Sequence, residues 1–150
     1  MATKKRIKYN VYLALAMHGR LGREVIEQGD DAIKLCKKLG LTYYAPWEDE
    51  NIVPNRVIDS KPNMRLMKWY VKKDFQHLDQ CGAIVVLTGD RFSAGTGWEM
   101  ARMHFKNRRP IVLVAPRMYD KELTNFSSVL ATKICATQAQ ALRYLKRRTK

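Results

Sequence analysis

An apolar run near the start of the chain decides the predicted fold. Residues Val11–Ala16 have the sequence VYLALA, and the strand that they predict extends over Ile7–Ala16. Nearly continuous apolar runs of this kind are typical of parallel strands that are buried on both faces of a sheet. Two similar runs occur at Ala83–Leu87 (AIVVL) and Pro110–Ala115 (PIVLVA). The three runs therefore predict central strands of one parallel sheet.

Segments with a helical spacing of apolar residues separate these strands. Two shorter strands are predicted at Leu41–Ala45 and Lys133–Ala136. The predicted helices are Arg23–Leu39, about Ser60–Gln80, Trp98–Asn107 and a last helix that Thr137 and Gln140 open as a capping box and that runs to about Arg148. Alternating strands and helices indicate βαβ units. The predicted fold is α/β, a flavodoxin-like or Rossmann-like doubly wound sheet of about five mostly parallel strands with helices on both faces.

Length and composition indicate one ordinary globular domain. The chain has 150 residues, of which 46% are apolar, so we expect a single domain over residues 1–150. No apolar run approaches the ~18 residues of a membrane span. Lys8 and Asn10 interrupt the short run behind the basic N-terminus, so we predict no secretory signal. The three cysteines, Cys36, Cys81 and Cys135, lie far apart in apolar stretches, which favours reduced thiols in a cytoplasmic protein.

The charge of the chain is strongly positive, with 28 Lys and Arg against 14 Asp and Glu. A net charge of +14 is compatible with nucleic acid, an anionic membrane or a phosphorylated small molecule as partner. Much of the charge lies in basic tails, about residues 1–6 and 146–150. Such tails often serve solubility alone, so nucleic-acid binding through them is an open alternative.

The loop before the third predicted helix is the strongest candidate for a site. Doubly wound sheets bind ligands outside the carboxyl ends of their strands, which selects the loops at 16–23, 46–61 and 88–98. In the last of these, Gly95 and Gly97 allow a ligand close to the backbone, and free N–H groups of a first helical turn can hold a phosphate. Glu99 lies in that predicted first turn, where the helix dipole favours an ionised carboxylate. The alternative is that the glycines shape a turn and Glu99 only satisfies the helix start.

The first loop is a second candidate because it combines a turn with two arginines. Gly19 marks the turn, and Arg20 and Arg23 carry guanidinium groups whose paired donors match phosphate oxygens. A solvated helix start is the alternative explanation for these residues.

Two further residues have either a binding or a packing role. Asp74 borders the apolar stripe of the predicted helix 60–80, where a carboxylate needs a partner, a ligand or an outward orientation toward water. Trp47 follows the second predicted strand and would either stack on a base or pack in the core. No Cys or His pair has zinc spacing, and no Walker or dinucleotide motif occurs, so neither a metal nor a cofactor is predicted.

Three segments together resemble the nucleoside 2-deoxyribosyltransferase superfamily, and the resemblance runs from Val11 to about Leu145. They are Val11–Ala14 before the Gly-Arg loop, Asp74–Leu78 (DFQHL), and Ser93–Ala101 (SAGTGWEMA) followed by Arg109–Val112 (RPIV). The resemblance implies cleavage of an N-glycosidic bond with retention. It places Glu99 as the nucleophile that forms a glycosyl-enzyme, Asp74 as a carboxylate that contacts the sugar hydroxyls or the base, and Tyr12 as the tyrosine that positions the nucleophile.

One position within this resemblance points to a particular branch. The classical transferases carry Asp six residues before the nucleophile, and this chain has Ser93 there. Serine is similar to the pattern of 2'-deoxynucleoside 5'-phosphate N-hydrolases, in which a small polar residue helps to hold the 5'-phosphate. Physically, Asp would repel a phosphate, whereas Ser can donate a hydrogen bond to it. Ser128 corresponds to a serine that relatives borrow from the neighbouring subunit, which implies a homodimer or a higher homo-oligomer.

We therefore expect an enzyme that hydrolyses the N-glycosidic bond of a (2'-deoxy)nucleoside 5'-monophosphate and releases the free base. One alternative is a transferase that exchanges bases between deoxynucleosides. Another is a module that binds or senses a nucleotide without catalysis. In each case the partner is a small nucleoside or nucleotide, and neither a membrane nor a cofactor is expected.

Overall fold

The computed structural model of the protein describes residues 6–58, 64–87, 94–115 and 129–149. The strands are β1 (Val11–Leu15), β2 (Tyr43–Tyr44), β3 (Ile84–Leu87), β4 (Ile111–Val114) and β5 (Lys133–Cys135). The helices are α1 (Gly22–Leu39), α2 (Met64–Leu78), α3 (Ala94–Ala101) and α4 (Gln138–Arg148). A short 3-10 helix spans Pro46–Asp49, and α3 continues into a π-helical segment, Arg102–Asn107.

The strands form one parallel sheet in the order β2-β1-β3-β4-β5. Leu13 of β1 pairs with Val85 of β3, which in turn pairs with Val112 of β4, so the three apolar runs occupy the centre of the sheet. This order is that of the flavodoxin-like doubly wound folds. The predicted fold class is confirmed, although every strand is shorter than its apolar run because pairing ends where the neighbouring strand ends.

Alternation along β1 divides the core into two layers. Leu13 and Leu15 face the layer formed with α1 and α4, whereas Tyr12 and Ala14 face the layer formed with α2 and α3. Successive side chains of a strand point to opposite faces, so this division follows directly from the sequence. Tyr12 is completely buried under α2 and α3, so its side chain is held in the layer where the candidate site lies.

Helix α3 begins earlier than its sequence predicts. The predicted start was Trp98, but the helix starts at Ala94 and includes both Gly95 and Gly97. Each glycine costs a helix about 1 kcal/mol, which is why the stretch resembles a loop in sequence. Thr96 and Met100 are buried on the sheet side of the helix, and this packing offsets that cost.

The last helix confirms its predicted cap and corrects the extent of the C-terminal tail. The Thr137 hydroxyl accepts a hydrogen bond from the Gln140 N–H at 3.2 Å, and the Gln140 side chain accepts one from the Ala136 N–H at 3.0 Å. Residues Lys146–Arg148 lie in the last turn of α4, which confirms the predicted helix end near Arg148, so only the last residues of the basic segment 146–150 lie beyond the helix. Their charges are therefore held in fixed positions on a helix.

The base-stacking prediction for Trp47 is wrong, because this residue belongs to the core. Its side chain is only 6% exposed and lies in the layer of α1 and α4, across the sheet from Tyr12. The indole contacts Gly29 of α1 so closely that a Cβ atom at position 29 would lie 2.6 Å from the ring. Trp47 therefore fastens the 3-10 helix to α1.

The three cysteines are free and buried, and burial raises the pKa of the Cys36 and Cys81 thiols to about 12. Thiols with such pKa values are poor nucleophiles, so the cysteines serve packing. Within the described ranges, no helix is both long enough and apolar enough to cross a membrane.

The contact between Gly29 and Trp47 predicts an unusual effect of a helix-favouring substitution. Alanine stabilises most helix interiors relative to glycine by about 1 kcal/mol, but Gly29→Ala forces a methyl group against the indole, and overpacking costs about 1–3 kcal/mol. We expect chemical denaturation to show a net loss of stability. Glu27→Ala, on the exposed side of α1, is the matched control and should change stability by less than about 0.5 kcal/mol. A Gly29→Ala protein more stable than the parent would contradict this packing.

Candidate active site

The hydroxyl of Tyr12 donates a hydrogen bond to Oε1 of Glu99, and the two oxygens lie 2.8 Å apart. Tyr12 is the second residue of β1, and Glu99 lies in the second turn of α3. The contact therefore lies on the face of the sheet under α2 and α3. Two of the three residues that the sequence predicts as catalytic thus meet, although 87 positions separate them along the chain.

Burial sets the protonation of Glu99. Desolvation raises the pKa of this carboxyl to about 8, the hydrogen bond from Tyr12 lowers it, and the nearby Asp74 carboxylate raises it. The prediction that a first-turn position favours the ionised form is wrong, because the early start of α3 places Glu99 one turn further along. In the ligand-free protein at neutral pH, Glu99 is therefore mainly protonated.

Asp74 is the third predicted catalytic residue, and it lies close enough to Glu99 for its carboxylate to raise the pKa of Glu99. Burial raises the pKa of Asp74 to about 6, while Lys73, His77 and a hydrogen bond from Tyr44 lower it. Its Oδ1 atom is buried and has no hydrogen-bond partner within the described part of the chain. A buried carboxylate oxygen without a donor is costly, so this atom is suited to accept a hydrogen bond from a ligand.

Aromatic rings form one wall of the site. The ring of Tyr44 stacks on His77, with centroids 4.1 Å apart and planes 8° from parallel, and its centroid lies 5.6 Å from that of Tyr12. Sequence reasoning missed Tyr44 and His77. The predicted strand order could have identified Tyr44. Tyr44 of β2 pairs in register with Tyr12 of β1, so both rings lie on the same face of the sheet.

A group of charged side chains continues this wall, and sequence reasoning missed these residues too. Asp49 Oδ2 accepts a hydrogen bond from the Tyr44 hydroxyl at 3.4 Å and forms an ion pair with Lys73 Nζ at 3.0 Å. Burial raises the pKa of Glu50, as does the Asp74 carboxylate, while His18 and Lys73 lower it. The loop at 46–58 and the start of the loop at 16–23 thus contribute charge to the surroundings of Asp74.

Hydrogen bonds from its own two arginines hold the first loop in place. Gly19 adopts a left-handed conformation with φ 77°, and its N–H donates to the Ile58 carbonyl. Arg20 Nη1 donates to the Ala16 carbonyl at 2.9 Å, at the carboxyl end of β1. Arg23 Nη2 donates to Asn55 Oδ1 at 2.7 Å on the exposed surface. These contacts join the first loop to the segment 54–58, and guanidinium groups keep further donors for a ligand.

The predicted phosphate-binding residues fall into two groups. Gly95 and Gly97 lie in the first turn of α3, where backbone N–H groups lack intrahelical partners. Ser93 and Ser128 lie outside the described residues. The glycines are therefore placed where a phosphate could bind, and the roles of the two serines stay predictions.

A buried ion-pair network connects the two helices that carry Glu99 and Asp74. Asp79, at the end of α2, is 2% exposed and accepts from Arg102 Nε at 2.8 Å and from Arg102 Nη2 at 2.9 Å. Lys106 Nζ lies 3.2 Å from the same carboxylate, and the Arg102 guanidinium covers the Phe75 ring at 4.7 Å. Bidentate pairing of this kind fixes geometry as well as charge. Asp79 therefore positions α3 relative to α2.

The described residues contain no group of three or more His, Cys, Asp or Glu side chains arranged to hold a metal ion. What converges instead is a pair of carboxyl groups with raised pKa values, Glu99 and Asp74, held by tyrosines. Such a pair can supply a nucleophile and a hydrogen-bonding partner or proton donor for a sugar-containing ligand.

Comparison with solved structures confirms the fold and adds related proteins. The chain is similar to a 2-deoxyribosyltransferase from the psychrotolerant bacterium Bacillus psychrosaccharolyticus, with a TM-score of 0.68 and 18% identity over 90% of this chain and 91% of that one. It is also similar to a conserved protein from Enterococcus faecalis V583, with a TM-score of 0.66 and 14% identity over 93% and 98% of the two chains. No family model matches the sequence, and no curated protein does. At these identities the comparisons establish a shared fold.

The raised pKa of Glu99 makes stability depend on pH. The carboxyl has a pKa near 4.5 when unfolded and about 8 when folded, so its contribution to stability is complete below pH 4.5 and is lost as pH rises to 8. We expect Glu99→Gln to lie within about 0.5 kcal/mol of the parent at pH 4.5 and to exceed its stability by about 4 kcal/mol at pH 8, measured by chemical denaturation.

The control for this measurement is Glu27→Gln, on the exposed side of α1, which should differ from the parent by less than about 0.5 kcal/mol at both pH values. A stability difference between Glu99→Gln and the parent that stays constant from pH 4.5 to pH 8 would show that Glu99 ionises normally.

Proposed function

We propose that the protein is an enzyme of the nucleoside 2-deoxyribosyltransferase superfamily that hydrolyses the N-glycosidic bond of a 2'-deoxynucleoside 5'-monophosphate. The observation that carries this proposal is the Tyr12–Glu99 hydrogen bond beside the unpartnered Oδ1 of Asp74. The fold shared with a 2-deoxyribosyltransferase supports the coarser statement that the reaction is transfer or cleavage at a nucleoside. The hydrolase and the monophosphate are the finer parts of the proposal.

In the first step, the ionised Glu99 attacks the anomeric carbon of the sugar. A C–O bond forms as the C–N bond breaks, and the bonding electron pair leaves with the base. The departing base takes up a proton, and Asp74 can supply it because its pKa of about 6 leaves a protonated fraction near neutral pH. Glu99 must lose its own proton while Asp74 keeps one, so we expect activity to be highest near pH 7, between the two pKa values, and to fall on either side.

In the second step, water attacks the same carbon and releases Glu99 as a carboxylate, while the Asp74 carboxylate takes up the proton that the water loses and so returns to its starting form. The products are the free base and a 2-deoxyribose 5-phosphate, so one water is consumed for each bond cleaved. The Tyr12 hydroxyl holds Glu99 throughout and stabilises its charged form, because it donates to Oε1. Tyr12 is therefore a positioning residue for the nucleophile.

The 5'-phosphate would bind at the first turn of α3, where Gly95 and Gly97 leave the N–H groups accessible, and Ser93, one position before Ala94 in the sequence, would donate a hydrogen bond to it. Arg20 and Arg23 of the first loop would add positive charge, and Gly19 forms the turn that carries them. Two exposed apolar residues support completion of the site by Ser128 of a second copy of the chain. Trp98 beside Glu99 is 71% exposed, and Val129 beside Ser128 is 78% exposed.

The second candidate function is base exchange between deoxynucleosides. The similar structure from Bacillus psychrosaccharolyticus is called a 2-deoxyribosyltransferase, which favours this reaction. The two reactions share the glycosyl-enzyme on Glu99 and differ in the acceptor, which is either water or a second base. They also differ in whether the substrate needs a 5'-phosphate.

A substrate panel separates the candidates. The protein is incubated with each deoxynucleoside and each deoxynucleoside monophosphate, with and without a second free base, and the products are separated by chromatography. We expect free base from the monophosphates only. Glu99→Gln should lower the rate at least about 1,000-fold because the amide cannot form the ester. The control Glu27→Gln, with the same change on the exposed surface of α1, should retain full activity.

Each other outcome has a definite meaning. Base exchange on substrates without phosphate would support the transferase instead of the hydrolase. Turnover that Glu99→Gln leaves unchanged would exclude Glu99 as the nucleophile. Tight binding of a nucleotide without any turnover would replace the enzyme with a sensing module.

A further inference from the structure

The described part of the chain after Glu99 is basic and has no acid of its own. Residues 100–115 and 129–149 contain no Asp or Glu. Their basic residues are Arg102, Lys106, Arg108, Arg109, Lys133, Arg143, Lys146, Arg147 and Arg148. Asp79 pairs with two of them, Arg102 and Lys106, and its single negative charge offsets one of their two positive charges. The remaining positive charge is not explained by the Glu99 site, because none of these residues perturbs the ionisation of Glu99 or Asp74.

An open pocket of about 560 Å³ lies within this basic region. Its lining includes four basic side chains, His104, Arg108, Arg109 and Arg148, together with Phe105. The pocket lies where β4 and β5 begin, since Pro110 and Thr132 also line it. Doubly wound sheets bind ligands at the other ends of their strands, so this pocket is separate from the candidate active site.

Two guanidinium groups reach the pocket from different elements. Arg108 follows the π-helical segment in a left-handed conformation, φ 51° and ψ 50°, which is strained for a residue with a side chain. Arg148 is held at the end of α4, where Nη1 donates to the Tyr144 hydroxyl at 2.6 Å and the guanidinium covers the Tyr144 ring. Neither arginine forms an ion pair with a carboxylate among the described residues.

Arg109, the third arginine that lines the pocket, binds backbone carbonyl groups of the protein itself. Its Nη1 donates to the Asp79 carbonyl at 2.8 Å and to the Cys81 carbonyl at 2.6 Å. These bonds tie the residue before Pro110 to the loop that leads into β3, so they fix the floor of the pocket. The exposed charges available to a ligand are therefore those of Arg108 and Arg148.

An exposed aromatic ring lines the same pocket as these cations. Phe105 is 67% exposed and contacts His104 edge to face, with centroids 4.7 Å apart. A single exposed apolar side chain is ordinary, but an exposed ring in a pocket lined by guanidinium groups offers a surface on which bases of single strands stack. The basic last turn of α4, Lys146–Arg148, extends the positive surface beyond the pocket.

We infer that this pocket is a binding site for single-stranded nucleic acid, with Arg108 and Arg148 on backbone phosphates and Phe105 stacked on a base. The pocket is open and continuous with a basic helix end, which suits a chain that passes across it. An enclosed site for one nucleotide would need buried polar groups that read the base, whereas Phe105, Arg108 and Arg148 are all exposed. The inference does not depend on the reaction proposed for Glu99.

The test is the salt dependence of binding of a fluorescein-labelled 16-nucleotide oligo(dT) to the full chain, measured by anisotropy between 50 and 300 mM NaCl. Each phosphate contact in a single strand contributes about 0.7 to the slope of log K against log salt. Arg108→Asn/Arg148→Gln should lower the slope by about 1.4 and the affinity by at least about tenfold. Asparagine is chosen because it tolerates the left-handed conformation at position 108. Phe105→Ala should weaken binding about tenfold and leave the slope unchanged.

The matched control is Lys34→Ala/Lys68→Ala, which removes the same charge from exposed sites on α1 and α2 and should leave the slope and affinity near those of the parent. If the double arginine variant does not fold, judged by circular dichroism, Arg148→Gln alone changes only an exposed helix end and should lower the slope by about 0.7.

Three outcomes would overturn the inference. The first is no salt-dependent binding of oligo(dT) by the parent at 50 mM NaCl. The second is an equal loss of affinity in the Lys34→Ala/Lys68→Ala control. The third is binding to phosphatidylserine vesicles that depends on Arg108 and Arg148 while oligo(dT) binding does not, which would assign the pocket to a membrane surface.

Discussion

The hydrogen bond from the Tyr12 hydroxyl to Glu99 connects the central strand of the sheet to helix α3, and the candidate site depends on it. Tyr12 is immobile because it is completely buried between the sheet and two helices. The bond gives Glu99 one orientation and partly offsets the cost of burying its charge. A carboxyl group that is buried, oriented and able to ionise near neutral pH has the properties that nucleophilic catalysis requires.

The other contacts of the site serve to keep the two carboxyl groups close. Asp79 and Arg102 form a bidentate ion pair that joins the end of α2 to the helix of Glu99. Tyr44 and His77 stack beside Asp74 and limit its access to water. Burying the carboxyl groups of Glu99 and Asp74 close together costs free energy, and their raised pKa values reflect that cost. The packing of the two core layers supplies the stability that offsets it.

The apolar runs were sufficient to predict the parallel sheet and its order, because buried parallel strands have few other patterns. Sequence failed where packing competes with local preference: the glycines before Trp98 suggested a loop, but buried Thr96 and Met100 hold them in a helix. Tyr12, Asp74 and Glu99 were predicted through a family resemblance, whereas Asp79 was missed because its partner Arg102 lies 23 positions away. Trp47 was misjudged because an aromatic residue after a strand has the same local sequence whether it packs or binds.

The most direct test of this account is the ionisation of Glu99 itself. Protein labelled with ¹³C at the glutamate carboxyl groups is titrated by NMR, and the Glu99 signal is identified by its loss in Glu99→Gln. We expect a pKa of about 8 in the parent and a higher pKa in Tyr12→Phe, because the lost hydroxyl no longer stabilises the carboxylate. A Glu99 pKa near 4.5 in the parent, or the same pKa in Tyr12→Phe, would contradict it.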